Sequence, residues 1–401
     1  MKKYLRLTAA LLAMLIMTGC QKDDSDDAPG TESGQSEWYQ IVSIDTLNSI
    51  RLTESLIGIG INLGPDLVKV SFLYHSPHDT TTLTLSGCVC WPVGTAECSK
   101  IWLESHYTSI RWDQCPSLMA QPCMIQSILQ KAIYIGADYQ GLGFSRDLPQ
   151  PYFNTILCAD QNIDCFRAAL QVLKDWGPVL TDEYSTYAIG YSLGGAVTLG
   201  IARRAELDAD VKRILHLKNC YCGDGPYNME VMMDFFCSYT DNLLEYPISL
   251  PCAIMTALYT CPSLSSLYTE SDFFTESFME SGILQLLDTK EYDTDQLNEI
   301  LNNAGFNTTG SILSQDVLDP ESQISKQFYH ELKLMDLTSG WSPTVPIWFY
   351  HARTDYTVPI TCLYKLLENM DGNPVITYHI KESDTHINSG LAFYKSALLG
   401  L

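Results

Sequence analysis

The six residues from Gly190 to Gly195 constrain the fold of this chain more than any other stretch of its sequence. They read Gly-Tyr-Ser-Leu-Gly-Gly. The apolar run Thr186–Ile189 before them has the pattern of a short strand, and Leu193–Ala205 after them, rich in Ala, Leu and Val, has the pattern of a helix. A G-x-S-x-G motif between a strand and a helix is typical of a sharp turn that presents its serine at the edge of an α/β sheet.

The serine of this turn is Ser192, and the geometry explains why glycines surround it. Strand and helix approach so closely that the residues two before and two after the serine, Gly190 and Gly194, must lack side chains. Gly195 adds clearance at the start of the helix. A purely structural turn is the alternative, but the strand-before, helix-after context favours Ser192 as a nucleophile.

Strands and helices alternate along most of the chain. Strands are predicted at 68–74, 81–91, 101–105, 132–137, 186–189, 211–220, 345–351 and 375–381. Helices are predicted at 118–129, 156–176, 193–205, 360–369 and after Ser389, and residues 37–66 contain a further short helix. This alternation predicts a mostly parallel sheet covered by helices on both faces, with functional residues at the carboxyl ends of its strands.

One long stretch, 227–341, interrupts this alternation. Aromatic residues, Met and Leu recur there at helical intervals between acidic stretches, which predicts an inserted helical cap. The α/β core then comprises 37–226 and 342–401. Four apolar residues of the cap either line a substrate pocket or pack the cap's own core: Met232, Met233, Phe235 and Phe236.

The first residues have the pattern of an export signal. Three basic residues among the first six precede the apolar run Leu7–Met17, which is too short to span a bilayer. The following tetrapeptide, Met17 to Cys20, resembles the lipobox of bacterial lipoproteins. The resemblance implies that residues 1–19 are a removable signal peptide and that acylated Cys20 anchors the protein to a membrane. An ordinary signal peptide followed by a chance cysteine is the alternative.

Residues 20–36 are rich in Asp, Ser and Gly, which predicts a flexible acidic tether. The segment Gln21–Asp27 resembles the acidic signal that sends some Gram-negative lipoproteins to the cell surface. The resemblance implies an exported lipoprotein of the outer membrane that faces the cell exterior. A polar tether that carries no sorting signal is the alternative.

Charge and cysteine content exclude some classes of function. The 401 residues include 24 Lys and Arg against 47 Asp and Glu, a net charge of −23, so a nucleic-acid partner is not expected. Fourteen cysteines are present, and with Cys20 acylated an odd number remains, which leaves at least one free or paired with another chain. No pair of CxxC couplets occurs, so no metal site is predicted.

A serine hydroxyl needs a base within hydrogen-bond reach, and in this architecture the chain order is serine, acid, histidine. His386 is the candidate, because it lies in a loop after the last predicted strand and can reach back over Ser192. The other histidines after Ser192 fit less well. His216 lies in a predicted apolar strand, His330 in the cap, His351 before the candidate acid and His379 within a predicted strand.

The candidate acid is Asp355, just past the predicted strand 345–351. It stands in the segment His351 to Pro359, which resembles the H-G-x-x-D-x-x-V-P segment of many α/β hydrolases, with Ala in place of Gly. In that role its carboxylate orients the His386 ring and stabilises the imidazolium. An N-cap of the helix predicted at 360–369 is an alternative for Asp355. Glu382 and Asp384 are weaker candidate acids.

From about Val68 to its end, the chain resembles the α/β-hydrolase superfamily. The resemblance is closest to capped secretory lipases and esterases, with prolyl-oligopeptidase-like serine peptidases next. Residues Asp138 to Ser145 resemble the D-Y-x-G-x-G-x-S loop of those families, whose role is structural support beside the pocket. This loop lacks G-x-G-x-x-G spacing and therefore does not predict a nucleotide site.

The resemblance also implies where the oxyanion is bound. One donor is the backbone N–H of Leu193, at the start of a helix, where the dipole helps. The second comes from the loop after the strand 101–105. There His106-Tyr107 occupies the place of His-Gly in many relatives, which leaves Tyr107 and Thr108 as alternative donors.

Together these features imply a serine hydrolase that cleaves small-molecule, lipid or carbohydrate esters through a Ser192–His386–Asp355 triad and an acyl-enzyme, with no cofactor. Two alternatives stay open. One is a surface or periplasmic serine peptidase with the same triad. The other is a binding lipoprotein on an inactive hydrolase fold.

Overall fold

The structure, a computed structural model, describes residues 37–78, 81–238 and 240–399. The predicted signal peptide (1–19) and the acidic tether (20–36), including Cys20, lie outside these residues. In the described part of the chain, every helix is too short or too polar to cross a lipid bilayer.

Nine strands of the described residues form one sheet, in the order β1-β2-β3-β5-β4-β6-β7-β8-β9. The strands are Tyr39–Leu47, Leu67–His78, Thr81–Pro92, Glu97–Ser105, Ile133–Ala137, Val179–Tyr191, Leu217–Gly223, Ile347–Ala352 and Ile376–Lys381. β1, β2, β3 and β5 pair antiparallel, whereas β5, β4, β6, β7, β8 and β9 pair parallel. The mostly parallel sheet that the sequence predicted is confirmed.

Seven helices lie outside the stretch between β7 and β8, among the described residues. They are α1 (Ser49–Ile57), α2 (Met124–Gln130), α3 (Thr155–Trp176), α4 (Leu193–Leu207), α5 (Ala209–Leu215), α16 (Thr361–Asn369) and α17 (His386–Leu399). The stretch between β7 and β8 holds ten more. They are α6 (Met229–Ser238), α7 (Ser249–Thr260), α8 (Pro262–Ser265), α9 (Glu270–Phe273), α10 (Glu276–Glu280), α11 (Ile283–Thr289), α12 (Thr294–Asn303), α13 (Thr309–Ile312), α14 (Gln315–Leu318) and α15 (Gln323–Leu334).

The central strands, such as β5 and the second half of β4, are buried on both faces. Their successive side chains point to opposite sides of the sheet. In β4, Ile101 and Leu103 belong to one apolar cluster, which includes residues of α3 and α4. Trp102 between them belongs to a second cluster, which includes residues of α1, α2 and α17. Complete burial of a large apolar side chain such as Phe166 in α3 contributes about 2 kcal/mol. Packing against helices on both faces therefore fixes the sheet beneath the site.

The predicted strand 211–220 is wrong, because a helix and a turn precede the true strand. Asp208 caps α5 by accepting hydrogen bonds from the backbone N–H groups of Asp210 and Val211. The helix ends at His216, which adopts φ 45° and is exposed rather than buried in the core. β7 begins only at Leu217. A capped two-turn helix with Val and Ile on its inner side resembles a strand in composition, and this misled the sequence-based prediction.

Two other predictions need correction. The helix predicted at 118–129 begins only at Met124, because Pro122 disfavours helical backbone in the residue before it. Residues 37–66 contain the predicted short helix, α1, but also strand β1. β1 lies at the edge of the sheet, half exposed, and pairs with β2. Its side chains lack a clean apolar alternation, so the strand could not be recognised from the sequence pattern.

The four cap residues that the sequence analysis named contact one another and neighbouring helices. Met232, Met233 and Phe236 of α6 are buried, and the Phe235 and Phe236 rings contact each other edge to face. α6 packs against α15 and α16. Of the two alternatives for these residues, packing is the one that these contacts favour.

All thirteen cysteines of the described residues have free thiols. Twelve of them are buried, and Cys237 is half-buried. Burial raises the pKa of thiols such as Cys220, to about 12, because the thiolate loses its hydration. These cysteines therefore act as small apolar side chains of the core.

Candidate active site

Ser192 forms the turn between the end of β6 and the start of α4, with φ 57° and ψ −126°. Such a conformation costs a non-glycine residue about 1–3 kcal/mol, and the surrounding contacts enforce it. A Cβ atom on Gly194 would lie 2.0 Å from the Ser105 carbonyl oxygen, and one on Gly190 would lie 2.1 Å from the Gly194 carbonyl oxygen. A Cβ atom on Gly195 would meet the last carbonyl oxygen of β7 at 2.5 Å. All three glycines are therefore required by close backbone packing, as the motif predicted.

The structure brings the three predicted side chains into one hydrogen-bonded array. The Ser192 hydroxyl lies 2.9 Å from Nε2 of His386, and Nδ1 of the same ring lies 2.6 Å from Oδ2 of Asp355. A ring with its proton on Nδ1 satisfies both contacts, since Nδ1 then donates to the carboxylate and Nε2 accepts from the hydroxyl. His386 and Asp355 are 7% and 3% exposed, so water screens these bonds little. This is the donor and acceptor order that activation of a serine hydroxyl requires.

Asp355 is fixed by its own backbone environment. Its Oδ1 accepts hydrogen bonds from the N–H groups of Thr357 (2.8 Å) and Val358 (2.9 Å), which leaves Oδ2 for His386. The alternative role as a helix cap is wrong, because α16 begins at Thr361 and its N-cap is Ile360. The other two acids point elsewhere. Glu382 pairs with Arg353 on the surface, and the Asp384 side chain accepts from its neighbouring N–H.

The other histidines that follow Ser192 in the chain do not contact its hydroxyl through the hydrogen bonds described above. His216, His330 and His379 are exposed. His351 is buried, and its Nε2 lies 2.9 Å from the Val358 carbonyl oxygen, within the turn that carries the acid. His386 itself begins α17 rather than lying in a loop.

The two segments predicted to supply the oxyanion donors lie against each other at the serine turn. Leu193 is the first residue of α4, and the N–H groups of a helix's first turn have no partner within the helix. The loop that follows β4 passes against this turn, since the carbonyl oxygens of Ser105 and His106 are the nearest atoms to a Cβ at position 194. Tyr107 and Thr108 follow in this loop. Thr108 donates its hydroxyl proton to Tyr152 (3.2 Å). Which of these residues donates to the oxyanion stays a prediction.

The Gly-rich loop at 138–145 supports the oxyanion loop from behind. Asp138, fully buried, accepts hydrogen bonds from the backbone and hydroxyl of Ser117 (2.7 and 2.5 Å) and from Ser86 (2.5 Å). The Tyr139 ring stacks on the His106 ring, with 4.0 Å between centroids. His106 Nδ1 in turn donates to the Tyr107 carbonyl oxygen (2.7 Å). These contacts agree with the supporting role that the resemblance implied.

The sequence analysis missed Asp224, a fully buried carboxyl group beside the array. Atoms of Asp224, Asp355 and His386 that could bind a metal ion lie within 4.8 Å of one another. The Asp355–His386 contact of 2.6 Å is a hydrogen bond, and it is too short for two ligands held about 2.0–2.2 Å from one ion. The group therefore fits a proton-sharing site better than a metal site. Its one sequence signal was an acid directly after a buried parallel strand.

Electrostatics separate the protonation states of the two acids. Burial alone would raise the pKa of Asp355, but the charge and the hydrogen bond of His386 outweigh it, and the pKa is lowered. The pKa of Asp224 is raised, mainly by burial, with the nearby Asp355 carboxylate adding to the effect and His351 opposing it. Two carboxyl groups whose pKa values diverge in one buried site have different roles.

We expect any reaction that uses this array to slow as pH falls through a value above 6.5, the ordinary pKa of histidine. Burial alone would lower the pKa of His386, but the charge and the hydrogen bond of Asp355 outweigh it and raise the pKa above its ordinary 6.5. Only the neutral ring can take the Ser192 proton, so kcat/KM falls on the acid side of that pKa. The measurement is the pH profile of kcat/KM, with unfolding followed over the same range as a control. An inflection below 6.5 contradicts this assignment.

The sheet order, the strained serine turn and the helices on both faces together define an α/β-hydrolase fold, which the comparisons with known structures support. No protein-family model matches the sequence, and no curated protein sequence matches it. Solved structures do match. The rice cell wall degrading esterase LipA from Xanthomonas oryzae is 18% identical, with a TM-score of 0.73, over 90% of this chain and 98% of that one.

A second match is Candida antarctica lipase A in its closed state, which is 15% identical with a TM-score of 0.60. It covers 90% of this chain and 82% of the lipase. At such identities the similarity establishes the fold, and the chemistry has to be argued from the residues of the site.

Proposed function

We propose that this protein is a serine hydrolase that cleaves carboxylic esters. The observation that carries the proposal is the buried array in which Ser192, His386 and Asp355 form two consecutive hydrogen bonds of 2.9 and 2.6 Å. The strained backbone at the serine supports it, because such strain persists where function requires it. Two structures of the same fold are named an esterase and a lipase, which agrees with ester hydrolysis.

In the proposed reaction, His386 removes the proton from the Ser192 hydroxyl as its oxygen attacks the ester carbonyl carbon. Asp355 keeps the ring in the required tautomer and stabilises its positive charge. The negative charge on the former carbonyl oxygen is bound by the N–H of Leu193 and a donor from the loop with Tyr107 and Thr108. The imidazolium then protonates the departing alcohol, and water activated by the same ring releases the acid.

The space beside the serine favours a small acyl group. A cavity of about 10 Å³, room for about one water molecule, lies against Leu193 and is lined by His106, Tyr139, Leu142 and Tyr152, among others. Pockets for drug-sized ligands are larger, about 300–1,000 Å³. The cap residues Met232, Met233, Phe235 and Phe236 do not line this cavity. The acyl pocket that we propose therefore belongs to the α/β core.

A panel of p-nitrophenyl esters with acyl chains of two to sixteen carbons tests this function. We expect kcat/KM to be highest for the two- to four-carbon chains and to fall by about tenfold or more for the longest ones, since a chain that cannot be buried contributes no binding. Peptide p-nitroanilides in the same panel test the peptidase alternative, which no contact among the described residues favours. Turnover of the anilides without turnover of any ester would reject the proposed function.

A further inference from the structure

Asp224 contacts every segment that carries a member of the Ser–His–Asp array. It follows directly on β7, with φ 37°, and is fully buried. Its Oδ2 contacts the hydroxyl of Tyr191, the residue before the serine, at 2.6 Å, and it also accepts from Ser389, on the helix that His386 begins. Its Oδ1 accepts from the N–H of Ala352 at the end of β8, three residues before the acid (2.8 Å). One carboxyl group thus joins three separate parts of the site.

The Tyr191 hydroxyl links this carboxyl group to the base. It contacts both Oδ2 of Asp224 and the backbone carbonyl oxygen of His386. A phenol has one proton to donate, and a carbonyl oxygen can only accept. Both contacts are hydrogen bonds only if Tyr191 donates to the His386 carbonyl and accepts a proton from Asp224. A proton on Oδ2 of Asp224 therefore satisfies both contacts, and an ionised Asp224 does not supply it.

The neighbouring charges agree with a neutral Asp224. All polar partners of Asp355 described above are donors, two N–H groups and the His386 ring, so Asp355 is the ionised carboxylate. A second negative charge within 4.8 Å in a buried site is strongly disfavoured. His351 does not supply the compensating charge through a hydrogen bond, because its Nδ1 lies 3.6 Å from Asp224 and its Nε2 is the nitrogen that meets a carbonyl oxygen.

We propose that Asp224 is a positioning residue, which as a neutral carboxylic acid donates to Tyr191 and through it holds the backbone of His386 in place. The Tyr191 ring also packs on the imidazole, with 5.1 Å between centroids, so the same side chain fixes both the backbone and the ring of the base. This inference rests on the proposed function, because it assigns Asp224 a part in orienting the catalytic base.

The first test compares Asp224→Ala with Asp224→Asn. We expect Asp224→Ala to lower kcat about 10- to 100-fold while KM changes less than about threefold, because the base loses its orientation and the acyl pocket is untouched. Asp224→Asn should recover most of the lost kcat, since its amide group donates to Tyr191 as a neutral carboxyl group does and its oxygen still accepts from Ala352. Thermal unfolding of both variants separates this effect from loss of the fold.

A second pair of variants keeps the test decisive if Asp224→Ala does not fold. Tyr191→Phe removes the linking hydroxyl and retains the ring, and we expect kcat to fall by about tenfold with KM nearly unchanged. The matched control is Tyr184→Phe on the same strand, whose hydroxyl donates to the Ile214 carbonyl oxygen away from the site. This control should retain full activity.

Three results would overturn the inference. They are a folded Asp224→Ala variant with normal kcat, a Tyr191→Phe variant with normal kcat, and an Asp224→Asn variant as impaired as a folded Asp224→Ala. Failure of the proposed function has a different signature, because it appears in the wild-type protein as absence of ester turnover and absence of labelling by a fluorophosphonate.

Discussion

Replacing Ser192 with Ala is expected to lower kcat for ester hydrolysis by about 10⁵- to 10⁶-fold, because no other group can form the covalent acyl intermediate. KM should change little, since the hydroxyl forms its bond to carbon only during the reaction. The protein should fold normally, because Ala removes a single oxygen atom from a turn whose shape is set by its glycines.

The measurement combines ester turnover with covalent labelling by a fluorophosphonate, followed by peptide mass analysis. We expect the label on Ser192 in the wild-type protein and no label in the Ala variant. Ser249→Ala is a matched control, since Ser249 is also buried but donates to the Tyr246 carbonyl oxygen in the helical stretch. Full esterase activity in Ser192→Ala would end the serine-hydrolase assignment.

Asp355→Asn is expected to lower kcat by about 10⁴-fold, although the side chain keeps its shape. An amide nitrogen placed toward Nδ1 of His386 favours the proton on the wrong ring nitrogen, and an amide oxygen there lacks the charge that stabilises the imidazolium. The two N–H groups of Thr357 and Val358 hold the side chain in the turn, so the loss is one of chemistry rather than of position.

Controls for this variant come from the two acids that the sequence left as alternatives. Asp384→Asn and Glu382→Gln should each change kcat less than about threefold, because surface ion pairs and local turn contacts contribute less than about 1 kcal/mol. Glu382 pairs with Arg353 on the surface, and neither acid contacts the imidazole through the bonds described above. A large loss of kcat in either control variant, together with an active Asp355→Asn variant, would show that another residue is the catalytic acid.

Much of the core could be predicted because its signals are local. The Ala-rich helix after the serine, the long amphipathic helix α3 and the buried strands each bear their pattern within one segment of sequence. The prediction of a strand at 211–220 was wrong because a short capped helix can share the composition of a strand. Strand β1 was not predicted, because an edge strand is half exposed and shows no clean alternation of apolar and polar residues. The acylation of Cys20 and the location of the protein stay predictions.

The sequence by itself determined the turn at Ser192, since glycines at positions 190, 194 and 195 between a strand pattern and a helix pattern are a local signal of this turn. The chain order of parallel strands also placed Asp355 and His386 on the correct edge of the sheet. Only the tertiary structure decided which of several histidines and acids meet the serine, and that Asp224 lies among them. Such contacts join residues that are up to 194 positions apart, and they depend on how strands and helices pack rather than on any local pattern.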